Sequence, residues 1–303
     1  MSEKLIVSVC IITYNHEKFI KRAIDSVLMQ TTDYDVEIIL GDDCSVDKTT
    51  IICQDYEKKY NNVHLLKRDK NIGMNANWMD TIRSATGKYI ALLEGDDYWI
   101  DKNKLQKQVD FLENNKDYVL CSHELYLDNP YLNRSFINFA GLLYRDYRFN
   151  GLLSSLNKFL LFFKDSKKFW KRRIHYGSNK RYSEGDLKIA LKTVNDKRYI
   201  HTSTMVAEAN VLKTIPDEAF AFAIGHRLSI LWTAMHGKQK HLFDFMAIRR
   251  IHEDCSATTG RVRKTASRRK GKNNEIEFLE LLYSYKNSKP LLDKISQMKE
   301  CDK

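Results

Sequence analysis

Residues 5–16 read LIVSVCIITYNH, and this stretch decides the class of fold. Its first nine residues form a continuous apolar run rich in β-branched side chains, which is typical of a strand buried on both faces of a parallel sheet. The run ends at Thr13, and Tyr14 and Asn15 follow it with further polar groups. We therefore expect an α/β protein whose ligand site lies beyond the polar end of this strand.

Strand and helix signals alternate from this stretch to about residue 125. Short apolar runs predict further strands at residues 36–40, 63–67, 89–93 and 118–125, and apolar residues at helical spacing predict helices between them. This order predicts a mostly parallel, twisted sheet with helices on both faces. Beyond residue 130 we expect strands at 200–206 and 240–251 and helices at 227–235 and 275–285.

The charge balance of the chain favours an anionic partner. Its 303 residues carry 50 Lys and Arg against 39 Asp and Glu, a net charge of +11, and the surplus gathers in residues 164–181 and 261–272. Nucleic acid, an anionic membrane and a phosphorylated substrate all fit such a surplus. The chain has neither zinc-finger spacing nor an RNP1-type motif, so we expect no nucleic acid partner. Because no CxxC pair, signal-peptide pattern or apolar run of about 18 residues is present, we expect a cytoplasmic protein.

Pairs of carboxylates follow two of the predicted strands. Asp42 and Asp43 come after the second strand, and Asp96 and Asp97 come after the fourth. Such residues also cap helices or form turns, but at the carboxyl edge of a parallel sheet they converge on the ligand site. Mg²⁺ and Mn²⁺ prefer oxygen ligands, so Asp96 and Asp97 suit a cation that neutralises a diphosphate. Asp43 suits recognition of a nucleobase N–H, and the ring of Tyr14 suits stacking on the same base.

Three segments carry the most specific pattern in the chain. They read VSVCIITYN at residues 7–15, GDDCSVDKT at 41–49 and ATGKYIALLEGDDYW at 85–99. In wording and spacing they resemble the family 2 glycosyltransferases, and the resemblance covers residues 5–125. It implies the GT-A fold, which is Rossmann-like, and direct transfer of a sugar from a nucleotide-diphosphate donor with inversion at the anomeric carbon.

The same resemblance suggests roles for individual residues. We assign nucleotide-sugar binding to Thr13, Tyr14, Asn15, Asp42, Asp43, Asn71, Asn77 and Asp96. We assign the cation, Mn²⁺ or Mg²⁺, to Asp97, Asp96 and His252. His252 belongs to the segment RRIHEDCS at residues 249–256, which is similar to the family's last strand end. A neutral imidazole is a competent Mn²⁺ ligand, and a purely structural buried imidazole is the alternative for His252.

The general base is the one departure from the family pattern. The segment GHRL at residues 225–228 resembles the one that holds the base, but His226 stands where the family usually has Asp. A neutral imidazole can accept the proton of the attacking hydroxyl. The alternatives are that Asp217 or Glu218 is the base, or that the chain is a non-catalytic sugar-nucleotide-binding protein. A nucleotidyltransferase is a further alternative, but it normally has a glycine-rich phosphate loop after the first strand, and residues 13–20 contain no glycine.

Residues 151–181 combine an apolar face at helical spacing with the basic run KKFWKRR at residues 167–173. This segment predicts either a helix on an anionic membrane surface, where lipid-linked acceptors lie, or a helix that covers the acceptor cleft. We expect one GT-A domain over residues 1–255, with a nucleotide-sugar-binding half at 1–125 and an acceptor-side half at 126–255. A basic helical tail follows at 256–303.

Together these observations predict an inverting hexosyl- or N-acetylhexosaminyltransferase that uses a UDP-sugar. Its acceptor would be a glycan or a lipid-linked saccharide, as in cell-surface polysaccharide synthesis. The enzyme would act in the cytoplasm, at the inner face of the membrane if residues 151–181 bind there.

Overall fold

The computed structural model describes residues 5–128, 184–185, 187, 190–191, 200–221, 225–252 and 270–300. Its strands are β1 (Ile6–Thr13), β2 (Asp35–Asp42), β3 (Val63–Lys67), β4 (Tyr89–Glu94), β5 (Tyr98–Trp99), β6 (Tyr118–Asp128), β7 (Glu184–Gly185), β8 (Val206–Glu208) and β9 (Lys238–Arg250). Its helices are α1 (Ile20–Leu28), α2 (Thr49–Lys59), α3 (Met74–Arg83), α4 (Lys104–Asn114), α5 (Ala209–Leu212), α6 (Gly225–His236), α7 (Lys270–Tyr285) and α8 (Lys289–Glu300). Short 3₁₀ helices cover Thr202–Thr204 and Asp217–Ala221.

The described strands form one mixed sheet in the order β3-β2-β1-β4-β8-β6-β9-β5, with β7 paired to β9. The first four strands in this order are parallel to one another. The short strand β8 runs antiparallel between β4 and β6, while β6 and β9 are parallel. The predicted α/β class is therefore confirmed, and the sheet is mostly parallel.

Alternate residues of β1 face two separate apolar cores. Val7, Val9 and Ile11 pack with α1, α2 and α4 on one side of the sheet. Cys10 packs with α3, α6 and α7 on the other side. Because both faces are covered, the strand is apolar throughout, as the sequence indicates. The carboxyl ends of β1, β2 and β4 are left as the place where polar residues can gather.

The predicted elements are confirmed except in one region. Residues 200–206 were expected to form a strand, but they form the 3₁₀ helix Thr202–Thr204, and β8 begins only at Val206. The reason is local hydrogen bonding: the Thr204 hydroxyl donates to the carbonyl of His201 at 2.7 Å, and the His201 ring accepts from the backbone N–H of Ser203. Side chains of this type compete with sheet pairing. The sequence also missed β5 and α8.

The carboxyl-terminal helices pack on the main body. Phe278 and Leu282 of α7, with Leu291 and Ile295 of α8, belong to the same core cluster as Leu228 of α6. The described part of the predicted tail is thus continuous with the core. The basic segment 151–181 and residues 253–256 lie outside the described residues. No helix within the described ranges combines the length and the apolar character that crossing a membrane requires.

Candidate functional site

The carboxyl ends of β1, β2 and β4 meet at one edge of the sheet. The strand register pairs Thr13 with Asp42, and Ile12 with both Gly41 and Glu94. The backbone N–H of Asp43 donates to the Thr13 carbonyl at 3.0 Å. The structure therefore brings the three predicted polar strand ends together.

The loops after β1 and β2 are hydrogen-bonded to each other. The backbone N–H of Asn15 donates to Ser45 Oγ at 2.9 Å, and Asn15 Oδ1 accepts from the backbone N–H of Val46 at 2.9 Å. Asp42 is fully buried and accepts hydrogen bonds from the hydroxyls of Ser45 and Thr50. The side chains of Asn15 and Asp42 thus hold these loops together beneath the site.

Asp43 organises a third loop. Its Oδ1 accepts from the backbone N–H of Ile72 at 2.7 Å and its Oδ2 from that of Gly73 at 3.0 Å. Asn71 Nδ2 donates to the Asp43 carbonyl at 3.1 Å. Gly73 has φ of 87°, a conformation that favours glycine. Each carboxylate oxygen has a second lone pair, so this arrangement still allows Asp43 to accept a hydrogen bond from a base.

Asn77 and Tyr14 lie at different depths of the same region. Asn77 is buried, and its Nδ2 donates to the Gly41 carbonyl at 2.8 Å, so it joins α3 to the end of β2. A Cβ atom on Gly41 would lie 2.1 Å from Thr81 Oγ1 and 2.9 Å from Asn77 Oδ1, which explains the glycine there. Tyr14 is 43% exposed at the rim, whereas the neighbouring Thr13 is buried. Tyr14 is thus an exposed aromatic residue beside the site.

Asp96 lies in a cluster with two histidines. Its Oδ2 is 3.0 Å from His252 Nε2, and one ligand-type atom from each of His16, Asp96 and His252 lies within 4.8 Å of the others. Burial acts to raise the pKa of Asp96. The hydrogen bond from His252 and the charges of His16 and His252 act in the opposite direction, and the net result is a pKa below its ordinary value. Burial lowers the pKa of His16 and so favours its neutral form. The cluster therefore offers one carboxylate and neutral imidazole nitrogen, a donor set that fits a divalent cation.

Asp97 has a different environment, although it is the next residue. Its Oδ1 accepts from the backbone N–H of Arg250 at 2.9 Å, and its Oδ2 accepts from Ser203 Oγ at 2.6 Å. Burial, together with the charges of Asp96 and Glu94, raises the pKa of Asp97 well above its ordinary value. Through these hydrogen bonds Asp97 connects β9 and the 3₁₀ helix Thr202–Thr204 to the loop that follows β4.

Sequence reasoning missed two histidines of this region. His16 directly follows the polar triplet at the end of β1, and this position was the available signal. His201 is buried with its Nδ1 3.6 Å from Asp97 Oδ2 and its Nε2 3.9 Å from Glu94 Oε2. Burial lowers the pKa of His201 to about 3. His201 comes from a segment that was expected to be a strand, so the sequence pattern could not place it.

The two carboxylates proposed as alternative bases do not join this cluster. α3 runs from the carboxyl edge of the sheet at Gly73 to the opposite edge at Arg83. Asp217 Oδ1 is paired with Arg83 Nη2 at 2.8 Å, and Glu218 accepts a hydrogen bond from the Tyr285 hydroxyl. Both carboxylates are exposed and engaged away from the Asp96 cluster. α6 begins at Gly225, but the side chain of His226 lies outside the described part of the chain.

Sequence comparison finds known proteins that are similar to part of this chain. An uncharacterized protein of Mycobacterium tuberculosis is 41% identical over 117 residues, which is 38% of this chain and 34% of that protein. TuaG of Bacillus subtilis, whose name assigns it to teichuronic acid biosynthesis as a glycosyltransferase, is 38% identical over 109 residues, 36% of this chain and 42% of that protein. The matched stretch thus spans about a third to two fifths of these relatives.

Two solved structures share the fold. TarS residues 1–349 of S. aureus, in complex with UDP-GlcNAc, gives a TM-score of 0.60 at 16% identity over 92% of this chain and 67% of that chain. The mannosyltransferase PcManGT of Pyrobaculum calidifontis, in complex with GDP-Man and Mn²⁺, gives 0.59 at 14% identity over 98% of this chain and 70% of that chain. At these identities the likeness establishes the GT-A fold alone.

A family model adds the evidence from sequence. The model described as Glycosyl transferase family 2 matches residues 8–188, which is more than half of the chain. The match includes the ends of β1, β2 and β4, where His16 and Asp96 of the cluster lie, but not His252. The chain therefore belongs to glycosyl transferase family 2.

Proposed function

We propose that the chain is an inverting, cation-dependent glycosyltransferase that moves a sugar from a nucleotide-diphosphate donor to a carbohydrate hydroxyl. The observation that carries the proposal is the buried Asp96 carboxylate, which faces His252 at the sheet edge where Asp43 and Thr13 also lie. Its Oδ1 has no hydrogen-bond partner among the described residues. A buried carboxylate oxygen without a partner is costly, which supports a ligand for it in the working protein.

The donor set fits Mn²⁺ or Mg²⁺. Asp96 and His252 would hold the ion, which would neutralise the charge that grows on the leaving diphosphate. PcManGT, which shares the fold, was solved with a nucleotide sugar and Mn²⁺. The sequence assigned the cation to Asp97 as well. Because both Asp97 oxygens already accept hydrogen bonds, from Arg250 and Ser203, we propose instead that Asp97 supports the site by fixing Arg250, whose guanidinium donates to the Asp96 carbonyl at 2.7 Å.

The nucleoside would be bound beside this cluster. Asp43 offers carboxylate lone pairs to a base N–H, and the exposed ring of Tyr14 offers a stacking surface. The loop that contains Asn71 is held by Asp43, so recognition of the base and the shape of the donor pocket are coupled. TarS was solved with UDP-GlcNAc, which supports a UDP-sugar as the donor to test first.

The general base would be His226. In direct displacement the base takes the hydroxyl proton, the acceptor oxygen bonds to the anomeric carbon, and the bond from that carbon to the diphosphate oxygen breaks. The ion pair of Asp217 with Arg83 and the hydrogen bond of Glu218 with Tyr285 support His226 over these carboxylates. The helix α6, which begins at the residue before His226, packs against α3 beside the donor region.

The acceptor would be a glycan or lipid-linked saccharide of a cell-surface polysaccharide, as the name of TuaG suggests for that relative. Such acceptors would place the enzyme at the cytoplasmic face of the membrane, with residues 151–181 on the anionic surface. Reversal of the charges of Lys167, Lys168 and Lys171 should then abolish flotation with anionic liposomes. Wild-type protein that does not float with these liposomes at physiological salt would contradict the membrane role.

A panel of UDP-, GDP- and CDP-sugars tests the proposal. We expect Mn²⁺-dependent release of the nucleoside diphosphate from one donor, abolished by chelation and by Asp96→Asn. His64→Ala provides a matched control, because His64 is exposed on β3, away from the site. Tight binding of a nucleotide sugar without hydrolysis or transfer to any acceptor would instead support a non-catalytic binding protein. Release of pyrophosphate from a nucleoside triphosphate would support a nucleotidyltransferase.

A further inference from the structure

His16 is the one residue of the Asp96 cluster to which the proposed function gives no role. It lies in the loop after β1, where its backbone N–H donates to Thr49 Oγ1 at 2.8 Å. Its ring is fixed as well, because Nδ1 is 3.2 Å from Thr13 Oγ1 and the Phe19 ring lies edge-on at 6.3 Å between centroids. Contacts with Thr13 and Phe19 therefore hold the imidazole in position.

The hydrogen bond to Thr13 decides which nitrogen is available. If Nδ1 donates its hydrogen to Thr13 Oγ1, the lone pair of the neutral ring is on Nε2. Metal-binding histidines commonly use their second ring nitrogen in this way, to donate to an oxygen that fixes the ring. The pairing of His16 with Thr13 therefore matches that of a metal ligand.

The distances fit a single coordination sphere. For an octahedral ion with bonds of about 2.1 Å, neighbouring ligand atoms lie about 3.0 Å apart and opposite ones about 4.2 Å apart. His252 Nε2 and Asp96 Oδ2 are 3.0 Å apart, and the ligand-type atoms of all three residues lie within 4.8 Å of one another. The three atoms are thus close enough to share one ion with small movements.

Gly95 allows Thr13 and His16 to lie close to the end of β4. A Cβ atom there would lie 3.0 Å from His16 Nδ1 and 2.7 Å from Thr13 Oγ1. An independent observation also points to a ligand: Asp96 is only 8% exposed, and its Oδ1 has no hydrogen-bond partner in the part of the chain that the structure describes. The cluster therefore contains an acceptor that its described protein neighbours do not satisfy.

We propose that His16 is a third protein ligand of the donor's divalent cation and makes the site select Mn²⁺ over Mg²⁺. The inference rests on the proposed function, since the same ion would hold the donor diphosphate. Imidazole suits the transition metals, whereas Mg²⁺ prefers oxygen and keeps its waters. Two imidazoles and one carboxylate should therefore favour Mn²⁺ more strongly than one imidazole and one carboxylate.

The test measures cation binding to the whole chain with UDP, using His16→Ala, His16→Gln and the control His64→Ala. Spin-echo modulation of bound Mn²⁺ detects nitrogen that is directly coordinated, and we expect part of this signal to be lost in both His16 variants. Calorimetry should show a Mn²⁺ Kd raised about 10–100-fold, with the Mg²⁺ Kd changed less than about threefold. Circular dichroism shows whether each variant is folded.

Two results would overturn the inference and leave the proposed function intact. One is unchanged nitrogen modulation and unchanged Mn²⁺ affinity in folded His16 variants. The other is an equal loss of Mn²⁺ and Mg²⁺ affinity, which would mean that His16 acts only by positioning Thr13. Wild-type protein that binds neither UDP nor a UDP-sugar with Mn²⁺ would overturn the proposed function and the inference together.

Discussion

Replacement of Lys104 by methionine should stabilise the protein, and the gain should depend on pH. Lys104 is the first residue of α4 and is fully buried. Its Nζ lies 3.9 Å from the centroid of the Trp99 ring and has no hydrogen-bond partner within the described ranges. Burial lowers its pKa from 10.5 to about 7. Methionine keeps the length of the apolar stem but removes the charge that burial disfavours.

The magnitude follows from this difference in pKa. Each unit of pKa difference corresponds to 1.36 kcal/mol. The change from 10.5 to about 7 therefore destabilises the folded wild type by about 5 kcal/mol at pH 6, where Lys104 is protonated in both the folded and the unfolded state. This is an upper bound, because the Trp99 ring attracts the ammonium group. The folded-state pKa is below the unfolded value, so between about pH 7 and 10.5 the unfolded chain binds more protons and wild-type stability rises with pH. At pH 9 the free energy of unfolding of wild type is about 3 kcal/mol higher than at pH 6. The stabilisation by Lys104→Met therefore falls to about 2 kcal/mol.

Urea unfolding at pH 6 and pH 9 measures both quantities. Lys58→Met is the matched control, because Lys58 is exposed on a helix and its replacement should change stability little at either pH. A Lys104→Met variant that is less stable than wild type would show that the ammonium group has a stabilising partner. A gain of equal size at both pH values would show that Lys104 keeps its ordinary ionisation in the folded protein.

Two further predictions separate residues that look equivalent in the sequence. Asp97→Ala should lower the free energy of unfolding by about 2–4 kcal/mol, because the Ser203 hydroxyl and the Arg250 backbone N–H lose their acceptor. Asp97→Asn should recover part of this loss. Urea unfolding that shows no loss in Asp97→Ala would contradict the structural role of Asp97. In a steady-state assay, His226→Ala should reduce the transfer rate about 10²–10⁴-fold with little change in donor affinity, and His226→Asp should recover part of the rate. Asp217→Asn and Glu218→Gln should remain near the wild-type rate. A large loss in either carboxylate variant, with His226→Ala nearly as active as wild type, would assign the base to that carboxylate.

The amino-terminal half of the fold could be predicted because its signals are local. The run at residues 5–13 is buried on both faces, so its apolar character appears in the sequence without any knowledge of its neighbours. Residues 200–206 read IHTSTMV, which is also rich in β-branched residues but contains fewer apolar ones. Their hydroxyls bond to nearby backbone, and Ser203 bonds to Asp97, so the structure depends on a contact between distant parts of the chain.

In the candidate site, too, local signals could be predicted and contacts between distant parts of the chain could not. Sequence placed Asp96 and Asp97 at the strand end but could not distinguish them, because their partners come from more than 100 residues away. His252 approaches Asp96, and Ser203 and the backbone of Arg250 approach Asp97. His16 was missed for a related reason, since its proximity to Asp96 follows from the pairing of β1 with β4.

The central claim is that a nucleotide diphosphate is held through a cation at Asp96. The most direct measurement is calorimetric titration of UDP into wild type and Asp96→Asn, each with Mn²⁺ and with chelator. Asn keeps the size of the side chain but removes the charge that would bind the ion. We expect UDP to bind wild type only with Mn²⁺ and to lose at least about tenfold in affinity in the variant, which corresponds to about 1.4 kcal/mol. Equal UDP affinity in the two proteins, or UDP binding to wild type that does not depend on Mn²⁺, would contradict the claim.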